Sequence, residues 1–131
     1  MWARRGACAG IVGISQYAEV SNCSAAVNIS QGYWNGGIVG AAYATAVSNC
    51  NFTGTSVGGS NESGGIVAYL DANSSIDNCN SYATSFTTSA LYGGIAGASV
   101  SGSSISNSHC KTGKQICSDT NFTGSDNAAD L

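Results

Sequence analysis

Cys23, Cys50 and Cys79 stand 27 and 29 residues apart, and each closes the same short phrase: Val20-Ser21-Asn22-Cys23, Val47-Ser48-Asn49-Cys50, Ile76-Asp77-Asn78-Cys79. Thiols can ligate metal, pair as disulfides or attack as nucleophiles, depending on what faces them. Three more cysteines, Cys8, Cys110 and Cys117, lie outside the phrase. A zinc site takes four ligands, and Cys110-x6-Cys117 with the single His109 matches no common ligand spacing. His109 and Cys110 are chain neighbours, so on a strand they point to opposite faces and cannot form a nucleophile–base pair. Asp71, Asp77 and Asp119 are scattered singly and make neither a paired-carboxylate site nor a calcium loop. No glycine-rich phosphate loop with its lysine occurs. These residues predict no catalytic group, no cofactor and no metal.

What the cysteines do share is a phase. Ahead of each phrase runs a glycine block: Ala9-Gly10-Ile11-Val12-Gly13, Gly36-Gly37-Ile38-Val39-Gly40, Gly64-Gly65-Ile66-Val67-Ala68 and Gly93-Gly94-Ile95-Ala96-Gly97. The second residues of these blocks are 27, 28 and 29 positions apart, and a fourth corner, Ile105-Ser106-Asn107-Ser108, follows the last of them. A fixed period of this length marks a stacked repeat architecture. Short Ile, Val, Thr, Tyr and Phe runs between Gly, Asn, Ser and Asp read as strands and turns, and no 3.6-residue apolar pattern suggests a helix. The expected fold is all-β, a parallel β-solenoid of about four coils with roughly three short strands in each.

Stacking coils about 4.8 Å apart brings like residues over one another. Ile11, Ile38, Ile66 and Ile95 are expected as one inward column, with Val20, Val47, Ile76 and Ile105 as a second. Val12, Val39 and Val67 would then face outward, available for a lateral seam. The paired glycines are expected where the chain turns sharply or takes φ > 0. Asn22, Asn49, Asn78 and Asn107 read as turn residues whose amides can bond along the axis. For Cys23, Cys50 and Cys79 the expected state is free, buried thiols, because parallel Cβ vectors oppose a disulfide. Cys110 and Cys117 are placed for a local disulfide, which an oxidising compartment would favour; Cys8 has no assigned role.

The glycine block and the Ile-x-Asn-Cys corner resemble the GLUG repeats of bacterial surface adhesins and immunoglobulin A protease-like proteins. The resemblance spans roughly residues 9–117. Ile replaces the family's Leu throughout, Ala68 replaces a Gly and Ser108 replaces a Cys. It implies a β-solenoid in a secreted or cell-surface protein, one part of something longer, and it carries no catalytic residues.

On this reading residues 1–8 lead in, with Trp2 covering the first coil, and the coils run over about 9–35, 36–63, 64–92 and 93–117. Residues 118–131 form a partial coil or cap, with Ser125 to Leu131 frayed. Charged residues make up only 8% of the 131, against about 25% in ordinary domains, which argues against a solvated tail. A net charge of −3 with four basic residues gives no footprint for nucleic acid. No apolar run is long enough to span a membrane, and the opening residues make a poor signal peptide. Of six Asn-x-Ser/Thr sequons, Asn61 and Asn73 are the best placed for glycosylation. The expected role is a non-enzymatic extracellular structural or adhesive module. Its partners would be itself, stacked head to tail into a filament, adjacent repeats of a longer surface protein, or a host or matrix ligand. The alternative is an ice-binding solenoid, but Thr53, Thr55, Thr84, Thr87, Thr88 and Thr112 do not keep one phase.

Overall fold

A computed structural model describes residues 6–86 and 90–131; Trp2, Thr87 and Thr88 lie outside the described residues. The described chain is a parallel β-solenoid of about four turns, with no helix. Each turn carries four strands, one more than expected. The first has β1 (Ala7–Ala9), β2 (Val12–Gln16), β3 (Glu19–Ser21) and β4 (Ser24–Ala25). The second has β5 (Trp34–Gly36), β6 (Val39–Tyr43), β7 (Ala46–Ser48) and β8 (Asn51–Phe52). The third has β9 (Glu62–Gly64), β10 (Val67–Leu70), β11 (Ser75–Asp77) and β12 (Asn80–Ser81). The fourth has β13 (Leu91–Gly93), β14 (Ala96–Ser99), β15 (Ser104–Ser106) and β16 (His109–Cys110), and β17 (Ala128–Ala129) follows. The sheets run β1-β5-β9-β13, β2-β6-β10-β14, β3-β7-β11-β15 and β4-β8-β12-β16-β17, every pair parallel.

The repeat sets the register. Ala9 pairs with Gly36, Gly36 with Gly64 and Gly64 with Gly93, while Val20, Val47, Ile76 and Ile105 follow one another in a single column. The unit begins earlier than the glycine block. Ala7 and Cys8 already belong to β1, Trp34 opens β5 of the second coil although the first was expected to run to residue 35, and Leu91 opens the fourth coil instead of closing the third.

Ile38, Ile66 and Ile95 are fully buried, as are Val47 and Ile105, and each such side chain contributes about 1.5–3 kcal/mol by leaving water. Two expectations fail here. Ile11 is 44% exposed, because no described strand stacks beyond the first coil. Val39 and Val67 are fully buried in the core and form no outer seam; Val12 packs against that core. The reason is a bend at each Ile. The N–H groups of Ile38 and Val39 both donate to the carbonyl of Ile66 (3.0 and 2.9 Å), and Ile66 and Val67 donate likewise to Ile95. Successive amides pointing the same way break strand alternation, so neighbouring side chains both turn inward.

The paired glycines have reasons of their own, and none of them takes φ > 0. A methyl on the first of each pair would run into the carbonyl oxygen three residues on: Val39 for Gly36, Val67 for Gly64, Ala96 for Gly93. On the second it would meet the next coil's glycine carbonyl (Gly37 for Gly10, Gly65 for Gly37, Gly94 for Gly65) and the side chain from the far wall: Ala25 for Gly10, Phe52 for Gly37, Ser81 for Gly65, Cys110 for Gly94. The lumen is as narrow as one side chain.

The two ends differ. At the first coil, β1, β2, β3 and β4 are all outermost in their sheets. At the other end residues 114–131 lie under the fourth coil as a shortened fifth. Ile116 continues the Ile column, its carbonyl accepting from Ile95 and Ala96 (3.0 and 3.1 Å), and Ala96 bridges to Cys117. Gln115 to Cys117 therefore belong to this final turn and not to the fourth coil. Where its backbone falls short, side chains finish the edge. Asp119 accepts from the N–H and hydroxyl of Ser99, Asn121 donates to the Ser99 carbonyl (3.2 Å), and Asn127 donates to that of Ile105 (2.9 Å). Ser125 to Leu131 are bonded in, not frayed: Ala128 and Ala129 pair with His109 and Cys110, and Leu131 donates to the Cys110 carbonyl (3.0 Å).

Candidate functional site

The corner after the third strand of each coil concentrates most of the chemistry-bearing side chains. Asn22, Asn49, Asn78 and Asn107 sit there at φ between 53° and 56°. This left-handed region costs most L-residues about 1–2 kcal/mol, and Asn tolerates it because its short amide bonds locally. The Asn backbone N–H groups bond to Ser48, Asp77, Ser106 and Ser125 of the following turn (3.0–3.1 Å). The amides form one rung of the expected ladder, Asn78 Nδ2 to Asn49 Oδ1 at 2.7 Å. Asn107 instead donates to Asp77 Oδ1 (2.9 Å), so the ladder does not run the length of the stack. A second amide rung, Asn80 Nδ2 to Asn51 Oδ1 at 3.1 Å, was not anticipated from the sequence. Its column reads Ser24, Asn51, Asn80, His109, a mixture that hides it; His109 is held there by Asp130 at 2.7 Å.

The cysteine after each Asn has a structural task. Cys23, Cys50 and Cys79 donate S–H to the carbonyl two residues back, Ser21, Ser48 and Asp77 (3.2, 3.2 and 3.4 Å). Ser108 makes the same bond to Ser106 with its hydroxyl (3.0 Å), which accounts for Ser replacing Cys there. All six cysteines are free; Cys50 and Cys79 are fully buried, Cys23 partly. The hydrogen bond from the neighbouring Cys79 thiol lowers the Cys50 pKa, against the cost of burial. Cys79 is correspondingly raised, by its bond to Cys50 and by burial; Cys23 is raised by burial and the Cys50 charge.

Cys110 and Cys117 do not form the expected disulfide. Cys110 points across the lumen at Gly94 and contacts the Lys114 carbonyl, while the Cys117 thiol lies against Asp119 (3.7 and 3.6 Å). Burial pushes both thiols up to about 11. Cys8 pairs with Asn35 in the first sheet and packs against the core.

Two surface regions remain. Trp34 stacks on Tyr69 (centroids 5.7 Å apart, 21°), Tyr43 tilts against Tyr69 at 5.8 Å, and the Tyr69 hydroxyl donates to Asp71 (3.1 Å). Glu62, in the same column as Trp34, is buried with Oε1 unpaired, and burial raises its pKa. Asn35 is buried too, its Nδ2 donating to Gly58 and its Oδ1 unpaired. Elsewhere Phe86 and Tyr92 stack at 5.2 Å beside Thr84, Ser85 and Lys114, around an open groove of about 310 Å³. Among the described residues no three His, Cys, Asp or Glu side chains converge as a metal site, and no helix is long and apolar enough to cross a membrane. The sequon Asn73 is exposed in a left-handed turn (φ 64°), and Asn61 is half-buried. No family model, no curated protein and no solved structure matches the chain.

Proposed function

We propose that this chain is a non-enzymatic structural or adhesive repeat module that works on the outside of a cell. The observation that carries the reading is the use to which its reactive groups are put. The corner thiols are donors to carbonyls, His109 is tied to Asp130, and Asp119 closes the edge of the fourth coil. The thiols fix their own corners, while the His109 and Asp119 bonds join the fourth coil to the final turn. The resemblance of the glycine block and Asn-Cys corner to GLUG repeats supplies the cell-surface setting. Burial raises the Cys110 and Cys117 thiols, which slows their oxidation and supports a free state for those two in that setting.

The polarity of the stack favours a module over an end-to-end filament, because indefinite head-to-tail growth needs two open, complementary ends. The ice-binding alternative needs a flat array of free hydroxyls, whereas the Thr55 hydroxyl bonds to Asn28 and that of Thr84 to the Thr55 carbonyl. Protease shaving of intact source cells, followed with an antibody to the purified chain, tests the location. Loss of the epitope from intact cells is expected; protection until lysis refutes the reading.

A further inference from the structure

We propose that the aromatic cluster of the second and third coils binds an organic ammonium group, held by ring faces beside a buried carboxylate. Four rings converge there from two sheets. Trp34 of β5 stacks on Tyr69 of β10, Tyr43 of β6 tilts at 53° to Tyr69, and Tyr33 meets Trp34 edge-on at 68°, centroids 5.4 Å apart. Trp34, Tyr43 and Tyr69 are each half-buried. Rings set at such angles wall a small site instead of making one flat platform, and their faces attract a cation.

Glu62 is the second, independent observation. It follows Trp34 in the same register column, is 9% exposed and keeps Oε1 without a partner. An ionised carboxylate in that position costs stability until a positive charge or a donor meets it. Among the described residues none does. Residues 6–108 contain no Lys, Arg or His but carry Glu19, Glu62, Asp71 and Asp77, and the one ion pair, His109 with Asp130, lies elsewhere. Asp71 accepts from the Tyr69 hydroxyl (3.1 Å), so two acids bear on the same rings. Burial, the Asp71 bond and the neighbouring negative charges push the Tyr69 phenol up to about 12, and burial with the Asp71 and Glu62 charges raises Tyr43. A metal ion would want several converging ligands, and among the described residues no three His, Cys, Asp or Glu supply them. A neutral sugar would leave the Glu62 charge uncompensated. An alkylated ammonium brings a positive charge inside an apolar surface, which suits rings and carboxylate together. This inference does not rest on the cell-surface reading.

Titration of the full chain with choline chloride, followed by the Trp34 indole N–H signal in heteronuclear NMR spectra and assigned with Trp34→Phe, tests it. Saturable binding is expected, and Glu62→Gln weakens it at least about tenfold. Thermal melts of that variant at pH 7 show it at least as stable as the wild type, so the loss is not one of folding. Asp126→Asn, the same change of charge at an exposed position of the final turn, leaves affinity unchanged. The neutral alcohol in which carbon replaces the choline nitrogen binds at least about tenfold more weakly. Phosphatidylcholine vesicles, compared with free choline, tell a lipid headgroup from a soluble ammonium; binding of either that Glu62→Gln abolishes supports the site. Equal binding of the neutral alcohol or of cellobiose, full affinity in Glu62→Gln, or no saturable shift up to about 50 mM choline overturns the proposal. So does tighter binding once Arg4 and Arg5, which lie outside the described residues, are replaced by Ala, because the chain's own guanidinium groups would then be the occupant.

Discussion

Gly94 offers a sharp test of the narrow-lumen account, because the atoms that forbid a side chain there belong to one removable group. A methyl at Gly94 falls 2.5 Å from both Cβ and Sγ of Cys110, and its next neighbour, the Gln115 carbonyl oxygen, is 3.2 Å away. Overpacking of this kind costs about 1–3 kcal/mol, so Gly94→Ala is expected to lose that much stability. Cys110→Gly empties the far wall; it loses a small buried side chain and adds strand glycine entropy, together about 1.5–2 kcal/mol. In the double variant the new methyl occupies the vacated space. Its stability is expected to match Cys110→Gly alone, which gives a coupling of at least about 1 kcal/mol. The neighbouring Gly93 is the control. Its added methyl meets backbone, the Cα of Cys117 and the carbonyl of Ile116 at 2.7 Å, and Cys110→Gly relieves none of it. Urea titrations followed by far-ultraviolet circular dichroism and tryptophan fluorescence supply the four free energies. Additivity of Gly94→Ala and Cys110→Gly within about 0.5 kcal/mol refutes the reasoning, as does equal rescue of Gly93→Ala.

Because Ser108 performs the corner bond with oxygen, Cys79→Ser is expected to hold stability within about 0.5 kcal/mol, while Cys79→Ala loses about 1 kcal/mol with its hydrogen bond; urea midpoints separate them. Asn78→Ala pays for the left-handed corner and loses the rung to Asn49, about 1–2 kcal/mol, whereas Asn78→Gly recovers most of that. Glu62→Gln is expected to stabilise the fold at pH 7. The folded-state pKa of Glu62 is raised from 4.5 by burial, so the wild type loses stability as pH rises through that value, and the variant does not. Thermal melts of both chains between pH 4 and 7 should converge at the acid end; parallel curves count against a buried, ionised Glu62.

The repeat period, the all-β parallel solenoid and the register of the Ile and Val columns were legible in the residues. Glycine blocks and corners recurring in phase place like on like, and a chain of short β-branched runs has no other way to bury them. The turn conformation at Asn22, Asn49, Asn78 and Asn107 was legible for the same reason, since the preference of Asn for that region is local. The thiol task was not read from the sequence: burial was expected, but that Cys and Ser108 share a donor role, and to which carbonyl, came only from the structure.

The tertiary structure alone decided the rest, and in each case distance along the chain hid the cause. Val39 and Val67 look like outward residues by alternation until the bend at Ile38 and Ile66 turns both neighbours inward. The second glycine of each pair is crowded by the carbonyl of the next coil's glycine (Gly65 for Gly37) and by a residue about 15 positions on (Phe52 for Gly37, Cys110 for Gly94), across a lumen whose width no local pattern reports. The final turn was expected as a partial coil or cap over 118–131, but its start before residue 118 was missed because it keeps the Ile column with Ile116 and lacks the glycine block; it closes the edge with amides and one carboxylate in place of strand. Period and turn preference are properties of nearby residues and can be read in order. How the edge of the fourth coil is closed depends on contacts that exist only once the coils are wound.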